Sequence, residues 1–215
     1  MKKLSKRAWA LFFGIAFILP AMTYGALYWY NHRIAGLPYY GENYRMETDR
    51  PYYTVPDFSF VNQDGHLIDN NFIKDKIWVA HYFFTTCTTI CPKMMNGMSD
   101  VQKAFVDNDD VRLVSFTVDP EQDSPAVLKQ YAQFRNIQSK QWGLLTGDKK
   151  MLYQYARRGL FIVATDGDGG DGDFIHSEKL VLIDRLGHIR GYYDGTEKYD
   201  IQLLINDIRR LLGDK

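Results

Sequence analysis

A three-layer α/β domain behind an apolar N-terminal helix is the fold class that this sequence predicts. Three observations carry it. From Val55 onward, short apolar runs of strand length alternate with stretches of helical pattern, and the chain closes with two adjacent strand runs and a last helix. Ahead of that, Ala8 to Asn31 contains no charged side chain, a length that meets the roughly 20 apolar residues a bilayer core requires. The only two cysteines of the 215 residues, Cys87 and Cys91, fall where an apolar run hands over to a helix signal. Open α/β sheets place their sites at such carboxyl ends of strands.

Residues 1–7 form a basic tail with Lys2, Lys3, Lys6 and Arg7. Residues 8–31 follow, with Trp9 near one end and Tyr28-Trp29-Tyr30 near the other, residue types that favour membrane–water interfaces. Pro20 would kink a helix here without forbidding it. The run is long for the apolar part of a signal peptide, and no small-x-small cleavage site follows it. The expectation is therefore an uncleaved, single-pass transmembrane anchor with its basic end in the cytoplasm. No cysteine lies near its end, which argues against a lipoprotein. The absence of a long Arg/Ser-rich leader favours a bacterial inner membrane, with the domain on the periplasmic side. Residues 32–54, rich in tyrosine and punctuated by Gly36, Pro38, Gly41 and Pro51, read as a linker that can fold back on the domain at 55–215. Setting aside the four basic residues of the tail leaves 22 against 26 acids, with no basic stripe. Nucleic acid is excluded as a partner class.

Within the domain, Phe58-Ser59-Phe60-Val61 and His66-Leu67-Ile68 flank Asn62-Gln63-Asp64-Gly65, a hairpin signal. Ile77 to Phe84 is aromatic and partly β-branched, the pattern of a buried strand. Pro92 suits the start of a helix running to about Asn108. Val111 to Val118 is a second buried strand, and Ser124 caps a helix over 125–134. Gly143-Leu144-Leu145 is a short strand, and a helix over 148–158 stops at Gly159. Residues 160–164 are apolar and extended in expectation. Leu180–Ile183 and Ile189–Tyr193 form a hairpin around Asp184-Arg185-Leu186-Gly187. The last helix, 199–212, presents Leu203, Leu204, Ile208, Leu211 and Leu212 on one face.

Chemistry concentrates at Cys87 and Cys91. A helix start favours anions, so it favours thiolates, and a thiolate is both a nucleophile and a soft metal ligand. Four residues apart on one helical turn, the two Cα atoms would be roughly 6 Å apart, inside the disulfide window. Two uses therefore stay open, a redox pair and a metal clamp. A clamp needs a third donor. Among the five histidines, His81 reads as a satisfied core residue, His66 follows a turn, His188 sits exposed in the second hairpin and His32 lies at the end of the anchor. His176 ends an irregular loop before a strand and is the candidate ligand. The Gly/Asp loop 166–173 fails the EF-hand pattern, with Asp171 where glycine is needed and Ser177 where glutamate is needed. Met94 and Met98 share a helix face and read as core. Asp119 and Asp123 bracket a turn and read as turn and cap residues, with a role beside the thiols as the alternative.

The motif Thr85-x-Cys87-x-x-x-Cys91-Pro92, the segment Ser115-Phe116-Thr117-Val118-Asp119-Pro120-Glu121-x-Asp123, His176 before a strand, and Pro56-Asp57-Phe58 with Asp64-Gly65 together resemble the Sco/SenC family from about Val55 to Leu212. One departure is Thr88, where the family often has proline; the loop 166–173 resembles an insertion. The resemblance implies a thioredoxin-like fold and copper, as Cu(I) or Cu(II), held by Cys87, Cys91 and His176. It also implies delivery to the CuA centre in subunit II of cytochrome c oxidase, with a periplasmic copper donor or thiol reductant upstream. Thioredoxin-like reductases set a cis-proline against their thiols. Here Phe174-Ile175-His176-Ser177 holds none, which favours metal binding. The alternative is a thiol–disulfide oxidoreductase in which Cys87 attacks and Cys91 resolves, reducing the partner's copper-ligand cysteines. A peroxiredoxin-like peroxidase is a weaker third.

Overall fold

The computed structural model describes residues 6–33, 36–41, 52–162 and 177–213. His176 and the loop 166–173 lie outside them, as do residues 42–51 of the expected linker. The chain divides into two units, Met1–Leu37 and Pro38–Lys215. The first contains α1 (Lys6–Arg33), a helix with Pro20 inside it. No helix among the described residues is long and apolar enough to cross a membrane.

The second unit opens with the expected hairpin, β1 (Ser59–Asn62) and β2 (Leu67–Asp69). The Oδ1 of Asn62 accepts from the N–H groups of Asp64 and His66, and Gly65 takes a φ of 78° that a Cβ would resist. There follow β3 (Ile77–Phe83), α2 (Cys91–Ala104), β4 (Val111–Thr117), α3 (Pro125–Phe134), β5 (Trp142–Thr146), α4 (Lys149–Gln154), β6 (Lys179–Ile183), β7 (Ile189–Asp194) and α5 (Lys198–Gly213). Ser124 caps α3 and Asp148 caps α4 through their side-chain oxygens. The seven strands line up as β2-β1-β5-β4-β3-β6-β7. β3, β4 and β5 are parallel, and β1, β2, β6 and β7 join antiparallel.

The central strand β3 is buried at every position because helices cover both faces of the sheet. Its alternation sends Trp78, Ala80 and Tyr82 into one cluster with Val114, Phe116, Leu145, Leu152 and Tyr155. Phe83 points the other way and meets Tyr131 of α3. Met94, Met95 and Met98 have no exposed surface and fill the core beneath α2. His81 is equally buried. Its Nε2 lies 2.7 Å from the Ser115 Oγ, which also accepts from the Trp142 Nε1 at 2.8 Å. Burial, opposed by the Tyr82 carbonyl, pushes His81 down to about 4, so it is a neutral core residue.

Four local expectations change. The helix over 148–158 becomes α4 followed by a π-helical turn, Tyr155–Gly159. Residues 160–162 are not a strand. Phe161 takes a φ of 50°, and the N–H groups of Leu160 and Ile162 bond back to Tyr155 and Ala156, so this run turns, with Leu160 buried and Phe161 and Ile162 half-buried against the core. The buried face of α5 is Ile201, Leu204, Ile205, Ile208 and Leu211, and Leu203 points away because β7 and α2 approach from the other side. His188 is not exposed. Its side chain is 15% accessible and its ring meets Tyr39 and Tyr52 edge-on. Beside it Arg190 donates to Asp184 at 2.9 Å and to the Pro38 carbonyl, with its guanidinium 4.0 Å over the Tyr39 ring. Tyr40 extends the sheet by bonding to Ile189.

Candidate functional site

The parallel pairing of β3 with β4 sets Phe83 opposite Thr117, so both strands end at the same level. Beyond β3, residues 84–90 form an irregular loop, closed at its start by the Cys87 N–H bonding to the Phe84 carbonyl at 3.3 Å. Cys91 is the first residue of α2, and Pro92 follows within the first turn, where no N–H partner is needed. The two cysteines therefore do not share a helical turn. Cys87 sits in the loop, and its Sγ folds back over the helix start.

There the Cys91 N–H points at the Cys87 Sγ, 3.4 Å away, and the Thr89 Oγ1 lies 3.8 Å from the same sulfur. The sulfurs respond in opposite ways. Partial desolvation raises the Cys87 thiol, but donation from the Cys91 thiol and from the Cys91 and Thr89 N–H groups outweighs it, and Cys87 is lowered to about 7. Burial drives Cys91 up to about 12, and the neighbouring Cys87 charge adds to it. Cys91 is 3% exposed, whereas Cys87 is half-buried among the exposed Thr86, Thr88 and Thr89. The expectation that the helix start favours thiolates therefore holds for one sulfur only. The pair consists of an accessible, acidic thiol resting on a buried, reluctant one, and both are free of disulfide.

The surroundings decide between the two sequence readings of Asp123 and add groups that the sequence did not reveal. Asp123 has no exposed surface, so it is more than a turn cap. Its carboxylate accepts from the Thr85 N–H at 3.2 Å, from the Thr85 hydroxyl and from the Thr117 hydroxyl. Thr117 in turn accepts from the Asp119 N–H at 2.9 Å, which keeps Asp119 in the adjacent turn. On α3, Tyr131 is raised by burial and further by the nearby thiols, while Arg135 opposes both. Arg135 lies over the Tyr131 ring and donates to Asn96 of α2 at 2.9 Å. Helical spacing alone could have placed Tyr131 and Arg135 on one face. It could not have pointed that face at the cysteines.

Two thiols in mutual contact at a solvent-reached helix start suit a soft metal, and the same geometry suits disulfide exchange. Among the described residues, no group of three or more His, Cys, Asp or Glu side chains could hold an ion. The expected third donor, His176, lies outside the described residues.

Comparison with known proteins extends this. The profile of the SCO1/SenC family matches residues 46–213. The chain is 34% identical over 159 residues to the SCO1 protein homolog of Bacillus subtilis (strain 168), covering 73% of this chain and 82% of that protein. The solved structure of BsSco, described as having a disulfide switch and as a member of the Sco family of cytochrome c oxidase assembly proteins, is 33% identical. It superposes with a TM-score of 0.64 over 78% of this chain and 98% of that one. ScoI of Bradyrhizobium japonicum, solved with copper bound, has the same fold at 23% identity. Its TM-score is 0.59 over 74% of this chain and 99% of its own.

Proposed function

The chain belongs to the SCO1/SenC family, and from that premise we propose that it binds one copper ion and hands it to cytochrome c oxidase during assembly of the CuA centre in subunit II. The observation that carries the reading is the pair of sulfurs meeting at the start of α2, Cys87 acidic and accessible, Cys91 buried beneath it. Copper is cargo here. Thiolate donors suit Cu(I), and an imidazole donor broadens the site toward Cu(II); His176 is the third arm of the clamp in this proposal. Loading requires Cys87 and Cys91 reduced, so a disulfide between them closes the site to metal and a periplasmic thiol reductant reopens it. An upstream copper donor supplies the ion.

Attachment to a bacterial inner membrane is part of the proposal, with the domain on the periplasmic side and α1 as a single-pass anchor. The uncharged stretch Ala8–Asn31 supports it. So does the exposure of Phe13, Ile15, Phe17, Ile18, Leu19, Met22 and Leu27 along the helix. Its tyrosines and tryptophans lower the mean hydropathy of the segment, yet these are the residues that membrane interfaces favour. Carbonate extraction of membranes from cells that produce the full chain tests the attachment; release into the soluble fraction refutes it.

A second reading rests on the inequality of the two thiols. The Cys87 thiolate can attack a partner disulfide, expelling one partner thiolate and forming a mixed disulfide. Cys91, on losing its proton, then attacks the Cys87 Sγ and releases the second partner thiol. Two electrons pass from the Cys87–Cys91 dithiol to the partner's cysteines.

The deciding experiment is anaerobic copper titration of the reduced full chain. One equivalent should bind to the wild type, and Cys87→Ser, Cys91→Ser and His176→Ala should each weaken it by about tenfold or more. Full affinity in His176→Ala removes the three-donor clamp. No binding by the wild type, with turnover of a partner disulfide retained, leaves the reductase reading.

A further inference from the structure

A carboxylate with no exposed surface is costly unless its oxygens are satisfied, and Asp123 is satisfied in an uneven way. The donors that meet it are two hydroxyls and one backbone N–H, drawn from the end of β4 and from the loop after β3. Asp123 itself closes the turn before α3, its N–H bonded to the Asp119 carbonyl at 2.8 Å. One side chain therefore joins three segments that sequence separates: the β3–α2 loop, the tip of β4 and the start of α3. The Thr85 contact is the one that reaches the thiols. Thr85 stands two residues before Cys87, and the Phe84–Cys87 turn begins where Asp123 holds the backbone.

We propose that Asp123 is the positioning residue of the thiol pair, acting through Thr85 to fix the β3–α2 loop so that the Cys87 sulfur rests on the start of α2. Cys87 has no helical turn to hold it beside Cys91; the Phe84–Cys87 turn and the Cys91 N–H hold it locally, and the Asp123 contact fixes where that turn starts. Without the anchor the loop samples positions in which the two sulfurs are apart, and their effective concentration toward each other falls. A disulfide makes the same demand, because its Cα atoms must lie within about 4.4–6.8 Å. Asp123 therefore serves both the clamp and its closed, oxidised form.

The inference takes Cys87 and Cys91 as the working pair, as in the function proposed above, but its test contains no copper, so either reading can fail without the other. Full-length protein stripped of metal is equilibrated in buffers of reduced and oxidised glutathione, quenched in acid, alkylated and weighed. The protein dithiol and one glutathione disulfide give the Cys87–Cys91 disulfide and two glutathione thiols, with two electrons and two protons passing to glutathione. Asp123→Ala is expected to lower this equilibrium constant about tenfold, about 30 mV for a two-electron couple. Thr85→Val, which keeps the N–H and loses the hydroxyl, is expected to lower it about threefold, the worth of one hydrogen bond. Asp184→Asn is the control for general destabilisation: a second buried carboxylate, paired with Arg190 in the β6–β7 hairpin, whose loss is expected to leave the constant within about twofold. The proposal is overturned if Asp123→Ala stays within about twofold of the wild type, or if Asp184→Asn shifts the constant as far. Should Asp123→Ala fail to fold by circular dichroism, Thr85→Val decides, and an unchanged constant in that variant is equally fatal.

Discussion

The backbone N–H of Cys91 donates to the Sγ of Cys87 at 3.4 Å, so the first turn of α2 is met by a sulfur where a side-chain cap would stand, and Ile90 supplies none. A helix start carries partial positive charge and unsatisfied N–H groups. The sulfur that faces them is stabilised as thiolate. The sulfur held behind them, in Cys91, is not.

Alkylation should separate the two. Because Cys87 is lowered to about 7, its rate with iodoacetamide should rise about tenfold per pH unit below that value and level off above it. Cys91, raised to about 12, should stay unreacted across the same range. Replacing Cys91 with alanine removes the side-chain donor but keeps the N–H, so the Cys87 midpoint should move part of the way back toward the ordinary thiol value. Peptide mass mapping of quenched samples reads both sites. Equal labelling of the two cysteines at pH 7 would refute the asymmetry.

The His81–Ser115–Trp142 group gives a pH dependence of stability with a definite sign. His81 is held neutral in the fold, with its value depressed to about 4, while the unfolded chain takes up a proton near 6.5. Stability from this residue is complete above about pH 6.5 and lost as pH falls toward 4, by about 3 kcal/mol in all. Urea unfolding of His81→Gln should show a flatter profile over that window. Ser115→Ala leaves the Trp142 N–H and a His81 nitrogen without their partner and should cost about 2–3 kcal/mol at neutral pH.

Gly97 lets α2 and α5 approach closely. A Cβ there would lie 2.6 Å from the Ile201 Cδ1 and 3.1 Å from the Gly195 carbonyl oxygen. Gly97→Ala gains about 1 kcal/mol of helix propensity but forces the helices apart, for a net loss of about 1–2 kcal/mol. Ile201→Val in the same chain should recover part of that loss, as measured by denaturant midpoint.

Arg190 ties the segment around Pro38 to the β6–β7 hairpin through Asp184, the Pro38 carbonyl and the Tyr39 ring. Lysine cannot reproduce a planar fork that stacks and donates at once. Arg190→Lys should cost about 2 kcal/mol. It should also speed hydrogen exchange at the Tyr40 N–H, which bonds to the Ile189 carbonyl.

Much of this was legible in residue order. The run Ile77–Phe84, the Ser124 cap and the Asp64-Gly65 turn are local signals, and the structure places β3, one residue shorter, α3 and the first hairpin where those signals put them. Cys87 and Cys91 stood out because they are the only cysteines and flank a strand-to-helix junction. The sequence points to an extended run at 160–162 that the structure lacks, because apolarity marks burial, not conformation. After the π turn, Leu160 is buried and Phe161, in a left-handed conformation, packs half-buried against the core with Ile162, with no strand needed. Leu203 lies on the stripe that periodicity predicts for α5 but not on its buried face, because periodicity gives a stripe and the neighbours decide where it is centred.

The sequence by itself determined the alternation of elements, the strand-to-helix junction and the identity of the two sulfurs, because each rests on contacts within a few residues. Only the tertiary structure decided that the two thiols are unequal, that Cys87 lies off the helix, and that Asp123 reaches Thr85 and Thr117. Acidity depends on burial and on which donors face the sulfur: the donors to Cys87 come from Thr89 and Cys91 nearby, but the burial that raises Cys91 is set by segments distant in the chain. The parallel pairing of β3 with β4 brings those segments to one level, and no local pattern encodes that distance.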